Sequence, residues 1–205
     1  MSLPGQRVTV TFGAWRVGAT YPPRVLSMRT QGWHDPPGLP ADVELSFEYG
    51  DVAPGDGTVD FARLDQSGCE FDSGRSHVEV DFRAARGQAT LQRSERNVTA
   101  FGALDALLGT GYAHVLLKGG IWLHAASVLI DGRAWVFAGQ SGAGKTTLSQ
   151  RFGDAWLHDE HTFLVPSGSG WQFWRQAEWR GPREPRPWIT DLGGLCVIEI
   201  GRAHV

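Results

Sequence analysis

The sequence predicts an α/β protein in which a glycine-rich phosphate-loop domain follows a β-rich N-terminal region. Three observations carry this expectation. Segments in the first hundred residues alternate apolar and polar positions, the period of a half-buried strand. From Phe101 the apolar spacing becomes helical. Finally, "VFAGQSGAGKTTLSQRF", Val136–Phe152, runs from an apolar strand through a glycine-rich turn into a helix start.

In the first region "RVTVTF" (Arg7–Phe12), "DVELSFEY" (Asp42–Tyr49) and "HVEVDF" (His77–Phe82) alternate cleanly, separated by turn clusters such as "HDPPGLP" and "APGDGT". They predict an antiparallel sheet with one wet face, and no motif there points to chemistry. Phe101, Leu104, Leu107, Leu108, Tyr112, Val115 and Leu116 then mark a helix, with a glycine break expected at Gly109–Gly111. The boundary between the two regions is placed near residue 100. "IWLHAASVLI" (Ile121–Ile130) and "RAWVFAG" (Arg133–Gly139) read as strands joined by the tight turn Asp131–Gly132. Further strands are expected in "AWLHDEHTFLV" (Ala155–Val165), "GWQFW" (Gly170–Trp174) and "GLCVIEI" (Gly194–Ile200), the last preceded by a loop rich in Pro and Arg.

Composition narrows the classes. The 205 residues carry 19 basic and 22 acidic side chains, a net charge of −3, so no basic field for nucleic acid or anionic membrane is present. Two cysteines far apart, Cys69 and Cys196, read as reduced thiols. The N-terminus lacks a signal-peptide pattern and no apolar run reaches the ~20 residues of a membrane span, so a soluble cytoplasmic protein is expected. "IGRAHV" (Ile200–Val205) matches one reading frame of a sequencing-library adapter. It is read as a tail, with the natural chain expected to continue beyond Glu199.

Gly139-x-x-x-x-Gly144-Lys145-Thr146 satisfies the P-loop pattern in its required strand–loop–helix context. Such a loop, Gly139, Gln140, Ser141, Gly142, Ala143, Gly144, Lys145, Thr146 and Thr147, aims backbone N–H groups at an anion. Lys145 is placed to reach the β- and γ-phosphates of a nucleoside triphosphate, and the Thr146 hydroxyl to bind Mg²⁺. Downstream, "HDEH" offers Asp159 and Glu160 as carboxylates for metal and proton, the parts a phosphoryl transfer needs beside the loop. His158 and His161, three residues apart on a strand, lack the helical spacing of a two-histidine metal pair. A lone strand histidine such as His124 is more often a core residue than a catalyst.

Taken together, "LHAASVLIDGRAWVFAGQSGAGKTTL…WLHDEHTFLV" resembles the catalytic domain of the HPr kinase/phosphorylase family, over roughly Gly120–Glu199. The resemblance implies a P-loop kinase domain akin to phosphoenolpyruvate carboxykinase. It also implies transfer of the γ-phosphoryl group of ATP to a serine of a small protein or peptide. His124, Lys145, Asp159 and Glu160 would be catalytic, with Mg²⁺ held by Thr146, Glu160 and Glu178. Pro182 departs from the family's metal and substrate segment around "EWRG". A nucleotide-sensing module with little turnover and a small-molecule kinase are the competing readings. Neither nucleic acid nor membrane is expected as a partner, and the sequence leaves room for a homo-oligomer.

Overall fold

The computed structural model describes residues 6–21, 40–93, 97–158, 161–175 and 189–198. The chain divides into two compact units, Met1–Thr11 with Trp15–Leu117, and Phe12–Ala14 with Lys118–Val205.

The first unit is a seven-stranded sheet and one helix. Its strands are β1 (Gln6–Phe12), β2 (Trp15–Tyr21), β3 (Val43–Gly50), β4 (Asp60–Asp65), β5 (Gly68–Asp72), β6 (Ser76–Asp81) and β7 (Arg86–Gln92), followed by α1 (Asn97–Leu117). They lie in the order β1-β2-β3-β7-β6-β5-β4. The β4–β7 meander is antiparallel, whereas β3 runs parallel to both β2 and β7, so the sheet is mixed. Alternation decides the faces: Cys69, Phe71, Val78, Val80, Ala89 and Leu91 are buried, while the intervening residues reach water or its margin. Helix α1 packs against β6 and β7. The sequence boundary near residue 100 falls at the start of this helix, and the compact units divide at its end.

α1 runs unbroken through Gly109–Gly111. Gly109 is there for contact, since a Cβ would lie 2.4 Å from the fully buried Phe71 ring. Close approach of helix and sheet, rather than a break, accounts for that glycine.

The second unit contains β8 (Ile121–Ile130), β9 (Arg133–Gly139), α2 (Lys145–Gln150), β10 (Trp156–His158), β11 (His161–Ser167), β12 (Gly170–Trp174) and β13 (Ile189–Ile198). The strands run β8-β11-β12-β13-β9, and β9 pairs back onto β8, closing a five-stranded barrel with β10 attached to β8. Asp131 and Gly132 both have positive φ (50° and 73°), the left-handed pair that a two-residue hairpin between β8 and β9 demands. Ala125, Ala134, Val136, Leu157, Leu164 and Phe173 form its core.

This architecture corrects the expected fold class. The described residues are 57% strand and 17% helix, and they do not form the α/β P-loop kinase fold akin to HPr kinase and phosphoenolpyruvate carboxykinase. That fold needs parallel strands joined by crossover helices on the sheet faces. Here β8–β9, β8–β11, β11–β12 and β12–β13 are antiparallel, and among the described strands of this unit only β9–β13 is parallel. Helix α2 has six residues, too few to cover a parallel sheet.

Replacing Gly109 by Ala separates propensity from packing. In an exposed helix this change stabilises by about 1 kcal/mol, whereas overpacking a closed core costs roughly 1–3 kcal/mol. Gly109→Ala is expected to be net destabilising, with a lower urea midpoint at unchanged slope. An unchanged or higher midpoint would show that Phe71 yields freely.

Candidate functional site

β9 delivers the glycine loop at the rim of the barrel. Gly139, its last residue, lies against Ile198 of β13, and a Cβ there would come 2.7 Å from the Ile198 carbonyl oxygen. The chain then turns, with the Ala143 N–H donating to the Gln140 carbonyl at 3.1 Å. Gly142 and Gly144 have φ of 81° and 88°, which side-chain-bearing residues rarely adopt. A Cβ at either would meet nothing within 4 Å, so the loop faces open space there.

Lys145 starts α2 and is only 7% exposed. Its Nζ donates to the carbonyl oxygens of Gly139 (2.8 Å) and Gln140 (3.0 Å), folding the ammonium back over the loop. Gly144 caps α2 with no side-chain hydrogen bond, so no side chain of the cap satisfies the first-turn N–H groups. Thr146 and Thr147 are exposed on that turn, and Ser141 and Gln140 are exposed in the loop. A buried cation, glycine-shaped backbone and exposed hydroxyls are thereby gathered within nine consecutive residues.

Strand register adds histidines to this rim. Ala125 pairs with Ala138 as the last rung between β8 and β9, so His124 and Gly139 each lie one residue past the same end of that ladder. On the other edge of β8, His161 of β11 pairs directly with His124. Opposed residues of antiparallel strands share a face, so His161 and His124 form a polar row on one face, at the end of the ladder where Gly139 begins the loop. His124 is exposed. The Trp122 indole N–H donates to His161 Nδ1 at 3.1 Å, which assigns the ring hydrogen of neutral His161 to Nε2. The His161 backbone N–H in turn donates to His158 Nδ1 at 3.1 Å. Ser127 Oγ donates to the His158 carbonyl at 3.3 Å. Burial, with smaller contributions from the charges of His161 and Arg175, pushes the His158 pKa down to about 3.

Of the residues singled out in the sequence, the loop and His124 therefore come together. Asp159 and Glu160 lie outside the described residues, between β10 and β11, and Glu178 lies outside them as well. The sequence reading missed the Trp122–His161 bond and the place of His161 in the row. A signal for His124 was present: a two-residue turn at Asp131–Gly132 pairs Ile130 with Arg133 and, counted outward to Ala125 and Ala138, brings His124 and Gly139 to the same end of the ladder. No such turn announces the β8–β11 register.

No protein-family model matches the chain, and no curated protein gives a significant match to it. Among the described residues no helix is long and apolar enough to cross a membrane.

His158 is expected to govern part of the acid response. Its folded pKa lies below the ordinary histidine value of 6.5, so between pH 6.5 and about 3 the unfolded chain binds the proton that the folded chain refuses. Stability from this group is complete above pH 6.5 and falls as pH drops through that window. Urea unfolding of His158→Gln across the window is expected to show a shallower loss of stability with acid than the parent. Parallel profiles would show that His158 charges as readily folded as unfolded.

Proposed function

We propose that the Gly139–Thr147 loop binds the phosphates of ATP with Mg²⁺, and that the site transfers the γ-phosphoryl group to a serine hydroxyl of a small protein or peptide. The observation that carries this reading is the Lys145 ammonium, buried at the root of a glycine-built loop and held, among the described residues, by the Gly139 and Gln140 carbonyl oxygens. An arriving phosphate offers that ammonium a charged acceptor in place of two neutral ones, and charge-assisted hydrogen bonds are roughly twice as strong. Resemblance to the HPr kinase/phosphorylase motifs supports the same chemistry at the level of the site, without its fold.

The residue types suit each role. Thr146, exposed one residue after Lys145, would ligate Mg²⁺ with Glu160 and Glu178, and the ion would supply neutralisation of phosphate charge. The serine oxygen forms a bond to the γ-phosphorus as the bond to the β-bridging oxygen breaks, and ADP departs. The serine proton passes to the carboxylate of Asp159 or Glu160. His124, at the end of the β8–β9 ladder from which the loop departs, would hydrogen-bond an oxygen of the transferring group. Positioning and charge stabilisation carry most of such a reaction.

A nucleotide-sensing module is the rival reading, favoured by one observation: the loop sits on a closed barrel with a six-residue helix, not on a kinase framework. Two measurements separate them. Removing the Lys145 charge forfeits roughly 1.5–3 kcal/mol, about 10–150-fold in affinity, so Lys145→Ala is expected to weaken Mg·ATP binding to that extent in calorimetry. Incubation of the parent chain with Mg·ATP and a cell extract is expected to yield a phosphoserine that Lys145→Ala abolishes. ATP binding with no phosphoryl transfer supports the sensing module. Absence of ATP binding contradicts both readings.

A further inference from the structure

We propose that Glu70, His77 and Glu79 form a binding site for a divalent first-row transition metal, of which zinc is the representative, on the solvent face of the β5–β6 hairpin. The site is independent of the glycine loop and belongs to the first unit. Register creates it. Glu70 pairs with Glu79 and Asp72 pairs with His77, so four polar side chains occupy two successive rungs of one face. One ligand atom from each of Glu70, His77 and Glu79 lies within 4.8 Å of the other two.

The imidazole distinguishes this cluster from an ordinary acidic surface. His77 Nδ1 lies 3.0 Å from Asp72 Oδ1, and Nε2 lies 3.4 Å from Glu79 Oε1. With Nδ1–H donating to Asp72, Nε2 is left facing Glu79. That is the arrangement in which a carboxylate orients a metal-binding histidine through its other nitrogen. Ligand bonds of about 2.0–2.2 Å set neighbouring donor atoms of a tetrahedral zinc roughly 3.4 Å apart. The His77–Glu79 pair already has that spacing, and the Glu70 side chain is the one that closes in.

Charge supplies a second argument. Like charges directly opposed across a sheet are destabilising, yet Glu70 faces Glu79. Arg63, the neighbour of Glu70 on β4, bonds to Ser67 and Asp65 instead. Among the described residues no lysine or arginine pairs with Glu70, Asp72 or Glu79. Three carboxylates against one imidazole leave the cluster negative even when the ring is charged, and a divalent cation offsets that excess. An imidazole nitrogen favours zinc, nickel, copper or iron over magnesium and calcium, which take oxygen ligands.

Calorimetric titration of the whole chain with zinc chloride, and separately with magnesium chloride, tests the site. One saturable zinc equivalent is expected, with no comparable magnesium binding. His77→Gln and Glu79→Gln should each weaken zinc binding by at least about tenfold, and Asp72→Asn by about tenfold with stoichiometry kept. All three lie on the wet face, and circular dichroism identifies any variant that fails to fold, leaving the others to decide. Absence of saturable zinc binding overturns the proposal. So does zinc binding that His77→Gln and Glu79→Gln both leave unchanged.

Discussion

Strand β8 is the constraint on which the second unit depends. β9 pairs along one of its edges, β10 and β11 run antiparallel to it as well, and closure of the barrel leaves it no freedom to slide. A shift of one residue would turn Leu123, Ala125 and the rest of the inward set to the other face and bring the exposed His124 inward. The core of Ala125, Val136, Leu164 and Phe173 resists that shift. Burial of these apolar side chains thus holds His161 beside His124, at the Gly139 end of the β8–β9 ladder. The polar row is positioned by a hydrophobic register that none of its members supplies.

The loop answers to a more local logic. Three glycines have two different reasons to be there. Gly139 is compelled by the Ile198 backbone, whereas Gly142 and Gly144 are compelled by their own dihedral angles over open space. Lys145 links the two ends of the turn by bonding to Gly139 and Gln140, so its ammonium serves as a structural clasp of the loop. Chemistry of this kind requires a short run of backbone and one cation, which a β-barrel rim can present as well as a parallel sheet. Function resides in such sites more than in the fold that carries them.

That distinction explains what was legible in the sequence. β8, β9 and β12 begin and end where alternation, the Asp131–Gly132 turn and flanking glycines place them. α1 was visible from its spacing, although Gly109 misled because a helix glycine that admits a neighbour looks like one that ends the helix. The class was misjudged because the P-loop motif implies parallel strands and long crossover helices, and pairing direction is not written in hydrophobic period. "AWLHDEHTFLV" reads as one strand yet divides into β10 and β11, with a register shift along β8 inside β10. The Glu70–His77–Glu79 convergence was invisible for a related reason: its members meet only once the β5–β6 register is known. Asp159, Glu160 and Glu178, the acids on which transfer would depend, fall outside the described residues.

The most direct measurement is the amide nuclear magnetic resonance spectrum of the chain during titration with Mg·ATP. Phosphate capture by the loop predicts that the N–H resonances of Gly142, Gly144, Lys145 and Thr146 shift together and saturate, with the His124 ring signals following. Resonances on the β5–β6 hairpin should stay in place. Saturation of nucleotide binding with the loop amides unmoved would contradict the loop as the phosphate site, and so would the absence of any shift at all.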